Sequence, residues 1–427
     1  MRQPRIQTKS FSAFLLLFVL AIAAQGQATT AANSSLTSNW NGSWVGSWAA
    51  SQQIPEPNNA VPIESLNHAT LRQIVHLSIG GSLIRVRISN AFGTAPLHLI
   101  AVHVARPLSP SANRIDPSSD RAVTFNERAD VLIPTGAEYT SDPLNYPVAA
   151  LSDLAITMQI QSAPGQETSH PGSRATSYLT AGLPASAAEL PSAQSIEHWY
   201  FLSGIDVAAS AHASSIVTLG DSITDGHGAT TNGNDRWPDL LAARLQHSAD
   251  TNEIAVLNEG IGGNRLLEDG LGPNALARVD RDVLAQTRVR YLIVLEGIND
   301  LGMLTRTAVA TEEQHKDLVR LMIGAYQQII LRAHAHGIRV IGGTIMPFMG
   351  SAFYHPDKSN ESDRQTVNAW IRAAGHFDAV IDFDHILADP AHPDHLRPDY
   401  DSGDHLHPSP AGYRAMADAI PLLLFQN

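Results

Sequence analysis

The chain has 427 residues, 44% hydrophobic and 16% charged, with 28 basic against 41 acidic side chains and no cysteine. A disulfide framework, a Cys-ligated metal or iron–sulfur site, a thiol nucleophile and a lipoprotein cysteine are thereby excluded, and the net charge of −13 argues against phosphate-tracking nucleic-acid binding. Thirty Gly and 25 Pro fall well short of the roughly 25–30% of low-complexity chains, so the length predicts two or three globular domains.

Arg2, Arg5 and Lys9 precede an apolar run over residues 11–24, and small residues follow at Ala24, Gly26 and Ala28. This is the order of a secretory signal peptide, and the run is too short to span a bilayer comfortably. The expectation is a signal at residues 1–28 and a Ser/Thr/Asn/Ala-rich flexible leader at 29–42, hence an exported mature chain with 25 basic against 41 acidic residues and no transmembrane segment.

From residue 43 to 208 the pattern alternates with period two and is broken at short intervals by Gly, Pro, Asn and Ser, which predicts an all-β unit of sandwich or jelly-roll type. Its clearest strand is 82–89, where Ile84, Val86 and Ile88 face one way while Arg85 and Arg87 face the other, toward solvent. Gly80-Gly81 reads as a two-residue hairpin joining it to a strand at 71–79. Further strands are expected at 97–105, 154–161 and 199–207. Trp40, Trp44 and Trp48 suit either sugar stacking or burial.

From 209 to 427 short apolar runs at 216–219, 254–257, 291–295, 340–345 and 380–383 alternate with amphipathic segments at 237–248, 275–286, 312–336 and 364–375. The runs are Val/Ile/Leu-rich with little alternation, as in strands covered on both faces. Thr311 and Gln314 stand at capping-box spacing before the third helix, and Gly337 ends it. The β–α alternation predicts a parallel sheet wound on both sides, with the functional site outside the carboxyl ends of its strands.

Each of those ends carries chemistry. The first strand runs into Gly220-Asp221-Ser222, the second into Asn258 and then Gly260 to Asn264, and the third into Glu296-Gly297-Ile298-Asn299-Asp300. After the fifth come Asp404, His405, Leu406 and His407, followed by Ser409 and Pro410 as an N-cap and first turn. These are the parts for acyl transfer: Ser222 as nucleophile, His407 as base and then acid, and Asp404 as the group that orients the imidazole. The Ser222 amide, the Gly263 amide and the Asn299 carboxamide would form the oxyanion hole. Gly260 and Gly262 are close competitors of Gly263, and Asp221, Asp225 and Asp300 read as local capping or hydrogen-bonding residues.

The segments Gly220-Asp221-Ser222-Ile223, Asn258 to Asn264, Gly297-x-Asn299-Asp300 and Asp404-x-x-His407 together resemble the SGNH hydrolases, also called GDSL lipases and esterases. The resemblance covers residues 214–424. It implies a three-layer α/β/α domain on a five-stranded parallel sheet, and ester hydrolysis without a metal or other cofactor. Ile223 stands where the GDSL name has Leu. Residues 44–51 and 78–81 are more loosely similar to a leading β domain of some multidomain bacterial SGNH esterases, a few of them associated with xylan breakdown.

The expected partner is therefore an ester substrate, an acetylated carbohydrate or other small acyl ester, with a lysophospholipase-type lipid substrate as the alternative within the class. A carbohydrate- or wall-binding protein with a vestigial hydrolase half is the alternative outside it. His392, His395, His405 and His407, with Asp394, Asp399, Asp401 and Asp404, offer a rival metal site, against which stand their proline-laden spacing and the lack of a His-Glu-x-x-His helix.

Overall fold

The computed structural model describes residues 43–426; the expected signal peptide, the leader and Trp40 lie outside the described residues. Residues 43–209 form antiparallel sheets. One five-stranded sheet runs Ser43–Ala49, Leu202–Ala209, Gly81–Ser89, Glu138–Thr140, with Leu144–Val148 also paired to Gly81–Ser89. A seven-stranded sheet is centred on Ala69–Leu77, Ser152–Ser162 and Leu97–Ala105. Ile84, Val86 and Ile88 from the first sheet and Leu71, Leu99 and Ile156 from the second are all fully buried in one shared core, so the alternation seen in the sequence is that of strands packed face to face.

Two expectations for this region need correction. Ala69–Leu77 and Gly81–Ser89 do not pair as a hairpin; they belong to different sheets, and Gly80-Gly81 is the crossing between them. Close backbone approach explains the glycines: a Cβ at Gly80 would lie 2.6 Å from the Val148 carbonyl oxygen, and one at Gly81 2.6 Å from that of Ala208. Nor is the arginine face solvated. Arg87 is buried, hydrogen-bonded to Gln286 of the following region and 3.7 Å from Asp206, while Arg85 pairs with Asp206 at 2.8 Å and lies over the Trp44 ring at 4.1 Å. Period two shows which residues share a face but not that the outer face will itself be covered.

The second region is a five-stranded parallel sheet in the order Ile254–Gly260, Ser214–Gly220, Val289–Leu295, Arg339–Gly343, Ala379–Ile381, with helices in its connections. Gly220 pairs with Gly260 on one side and Leu295 on the other, so the three segments that carry the candidate chemistry leave the sheet level with one another. The Thr311/Gln314 capping box is formed, and Gly337 has φ 71°. The expected helix at 275–286 is an α-turn, Ala275–Val279, continued by a π-turn, Asp280–Leu284. The helix expected at 364 begins at Lys358, because Asp357 and Asn360 form a second capping box there.

The two regions meet along the sheet edge. A Cβ at Gly46 would press on Leu257 at 2.8 Å, the Ser78 hydroxyl accepts from the Val256 amide at 3.1 Å, and Ala255 is buried in the core of the β region.

Candidate active site

Ser222 sits one residue beyond Asp221, whose side chain accepts from the Ile223 amide at 2.9 Å and so caps the short Ser222–Asp225 helix. Behind it Gly220 is obligatory in space, since a Cβ would come 2.1 Å from the Thr224 hydroxyl. The Ser222 hydroxyl lies 2.8 Å from His407 Nε2, and His407 Nδ1 lies 2.6 Å from Asp404 Oδ2. With Nδ1 donating to the carboxylate, Nε2 is left as the acceptor facing the serine. Asp404 Oδ1 in turn accepts from the Leu406 and His407 amides at 3.0 and 2.8 Å. Partial burial alone would raise the Asp404 carboxyl, but the bonds from the His407 ring and these amides outweigh it and hold the group well below the usual carboxylate range. Ser222 is 7% exposed and His407 9%.

The oxyanion candidates converge on the same edge. Asn299 is buried, and one of its carboxamide hydrogens is donated to the Asn264 carbonyl at 2.7 Å, which leaves the other unspent. Its Oδ1 accepts from the Tyr354 hydroxyl at 2.6 Å. These two bonds together fix which end of the carboxamide is nitrogen. Gly263 has φ 68°, the left-handed turn that glycine serves best. The three glycines now separate: Gly260 is needed for packing, since a Cβ there would meet the Asp225 amide at 2.3 Å, while Gly262 is looser.

Beneath this edge lies a buried polar layer. Arg278 donates from Nε to Asn264 Oδ1 at 2.9 Å, and otherwise to the Gly220 carbonyl at 2.9 Å, Asp282 at 3.0 Å and the Ser51 hydroxyl at 2.9 Å. Asp300 accepts from the Leu266 and Leu267 amides at 2.9 and 3.1 Å, which anchors the glycine-rich segment from 34 residues away, so its role is not local. Burial pushes the Asp300 carboxyl up to about 6 and that of Asp221 up to about 7.

The β region reaches the site directly. His170 is buried, with Nδ1 2.8 Å from the Ser51 carbonyl and Nε2 2.9 Å from Asp225 Oδ1, three residues past the nucleophile. Asp225 is thus the anchor of an inter-region contact rather than a local cap. The Thr176 amide and Asn232 Oδ1 are joined at 2.8 Å, and Arg174 donates to His227 Nδ1 at 2.9 Å. His227, half-exposed, packs its ring 4.0 Å from that of His407, and burial with the nearby His407 and Arg174 pushes it down to about 4. Tyr354, Arg278, His170, Arg174 and His227 had no motif to mark them.

The histidines of the rival metal set pair off with separate aspartates. His392 pairs with Asp389, His395 with Asp394 and His405 with Asp401. Among the described residues, the group whose ligand atoms approach within 4.8 Å is His227, Asp404 and His407, and His407 Nε2 there already faces Ser222. Trp48 is 5% exposed and packs edge-on against Trp199 at 4.8 Å, which removes it as a sugar platform.

A hydroxyl–imidazole pair at the carboxyl edge of a doubly covered parallel sheet is the arrangement expected of a serine hydrolase. Residues 218–415 match the model of the GDSL-like lipase/acylhydrolase family, and this part of the chain is a domain of that family, a carboxylic ester hydrolase. The match spans Ser222, Gly263, Asn299, Asp404 and His407. No curated protein matches the chain. Similar solved structures include a G-D-S-L family protein from Desulfitobacterium hafniense DCB-2, 20% identical over 48% of this chain and 97% of that one, with a TM-score of 0.37. A GDSL-like lipase from Bacteroides thetaiotaomicron VPI-5482 is 19% identical over 48% and 85%, TM-score 0.35, and an acetylxylan esterase from Geobacillus stearothermophilus is 20% identical over 48% and 93%, TM-score 0.35. No helix among the described residues is long and apolar enough to cross a membrane.

Proposed function

We propose that the protein is an exported serine esterase that removes acyl groups, chiefly acetyl, from carbohydrate or similar small esters, with Ser222, His407 and Asp404 as its triad and Ser222, Gly263 and Asn299 as its oxyanion hole. The observation that carries the reading is the unbroken relay from the Ser222 hydroxyl to His407 at 2.8 Å and from His407 to Asp404 at 2.6 Å.

In the first half-reaction the Ser222 oxygen attacks the ester carbonyl as its proton passes to His407 Nε2. The carbonyl oxygen becomes an oxyanion, met by the Ser222 and Gly263 amides and the unspent Asn299 hydrogen. Collapse breaks the ester C–O bond, the proton on His407 goes to the departing alcohol, and the acyl group stays on Ser222. Water then repeats the sequence, giving its proton to His407 and releasing the acid with Ser222 restored. Asp404, held ionised through these steps, stabilises the imidazolium in each. A short acyl group suits a hydroxyl and a carboxamide that are both nearly buried.

Ser222→Ala tests the assignment: turnover of an aryl acetate is expected to fall by about 10⁴-fold or more, and retention of activity would remove Ser222 as nucleophile. Acetate and fatty-acid release measured across acetylated xylan, acetylated pectin, aryl esters and lysophospholipid separates the carbohydrate reading from the lipid one.

A further inference from the structure

The β region places a cation without a carboxylate partner against His227, the ring that packs on the candidate base. Arg174 follows the Ser169–His170 strand with its backbone in the left-handed region, φ 49°, and its carbonyl accepts from the Asn232 amide at 2.8 Å. A non-glycine residue held there is strained and persists only where its surroundings enforce it. Its side chain makes one hydrogen bond, to His227 Nδ1, and its Nε is buried with no partner. The neighbouring arginines differ: Arg236 pairs with Asp239, Arg265 with Glu268, and Arg278 and Arg281 with Asp282. Among the described residues Arg174 has no carboxylate in ion-pair contact, in a chain with 13 more acidic than basic side chains. Buried polar groups without partners are rare and call for an explanation.

The place of this cation relative to the reaction is set by the rings. His227 lies against His407, whose Nε2 would hand its proton to the departing alcohol in the proposed reaction. His227 Nδ1 is occupied by Arg174, so the neutral ring carries its proton on Nε2, 4.0 Å from Asp404 Oδ2. The groups facing His227 are Arg174 from the β region, His407 and Asp404 from the loop before the last helix, and Asp225 from its own segment; the Tyr413 hydroxyl donates to its backbone carbonyl. Arg174 thus stands one imidazole ring away from His407, the group that would protonate the departing alcohol.

We propose that Arg174, seated on His227, is a specificity-determining residue that binds a carboxylate on the alcohol part of the substrate, so that the preferred esters are those of carboxylate-bearing alcohols such as O-acylated uronates. This rests on the serine-esterase reading of the site. The guanidinium fork is the side chain best matched to a carboxylate, and contact there outweighs the repulsion that the net charge exerts at long range.

The test uses the full chain and a matched pair of esters, an acetylated hydroxybenzoate and its neutral methyl ester, with kcat and KM measured for each. The wild type is expected to favour the carboxylate form, and Arg174→Gln to lower the ratio of the two kcat/KM values by about tenfold or more, chiefly through KM of the charged ester. Arg174→Lys keeps part of the preference. Acetylated polygalacturonate against acetylated xylan should follow the same order. Equal losses on both esters would make Arg174 a structural support and overturn the proposal, as would an unchanged ratio. Hydrolysis of neither ester by the wild type would instead remove the esterase reading itself.

Discussion

The α/β region and the β region contribute to one site in different ways. In the first, Ser222, Gly263 and Asn299 each lie within a few residues of a strand end and His407 lies in the loop before the last helix, so three level strands and one loop carry all four to the same edge. In the second, the contributing residues are scattered, Ser51 after one strand and His170 and Arg174 near another, and they matter only because the whole β region docks on the sheet edge. A parallel sheet thus concentrates chemistry along its own carboxyl edge, while the β region acts by buttressing the segment just after the nucleophile.

The sharpest way to break this comparison is to separate the regions. Residues 209–427 expressed alone are expected to show no turnover of an aryl acetate, because Asp225 loses His170, Arg278 loses Ser51, and the Ile254–Gly260 strand loses its cover; full activity would show the β region to be a dispensable attachment. Next, Asn299→Ala is expected to lower kcat by about 10²–10³, the usual cost of one oxyanion donor, with KM little changed. His170→Ala removes one partner of a hydrogen-bonded pair whose side chains are 3% and 5% exposed, and is expected to destabilise the protein by about 1–3 kcal/mol in denaturant unfolding. A loss under about 0.5 kcal/mol, the usual range for surface changes, would mean the regions are not joined through it.

A smaller effect is expected from Tyr354→Phe, which keeps the ring but frees Asn299 Oδ1: about tenfold in kcat, and no further loss once Asn299 is already Ala. Additive losses would detach Tyr354 from the oxyanion hole. The smallest effect is on stability against pH. Asp300 and Asp221 are held above the unfolded carboxyl value of about 3.9, so the stability they lend is complete below that value and is lost as the pH rises through about 6 and about 7. Asp404, held low, acts in reverse: its contribution is present above about pH 4 and lost as the pH falls. Asp300→Asn should therefore flatten the decline of Tm between about pH 4 and 6, and an unaltered slope would show that Asp300 is not its source.

How much of this was legible in the sequence follows the same division. The parallel strands, the helix caps at Thr311 and Ser409, and the groups at strand ends were readable because apolar runs and caps are local signals and the sheet's geometry then places its ends. The β region showed its strands but not their partners: Gly80-Gly81 has the composition of a hairpin, and only the approach of Val148 and Ala208 makes it a crossing between sheets. Tyr354, His170 and Arg174 were illegible for a related reason. Each acts on a residue more than 50 positions away, through one hydrogen bond that no periodicity records. Asp225 and Asp300 sat in view as capping residues, and their true partners lay 55 and 34 positions off.

Ser222, activated by His407, is the residue proposed to carry the acyl group. Treating the full chain with an activated phosphonate ester and locating the adduct by mass spectrometry tests it most directly. One adduct per chain is expected, on the peptide containing Ser222, formed far more slowly in His407→Ala and absent in Ser222→Ala. An adduct on another residue, or ester hydrolysis undiminished in an unlabelled protein, would contradict it.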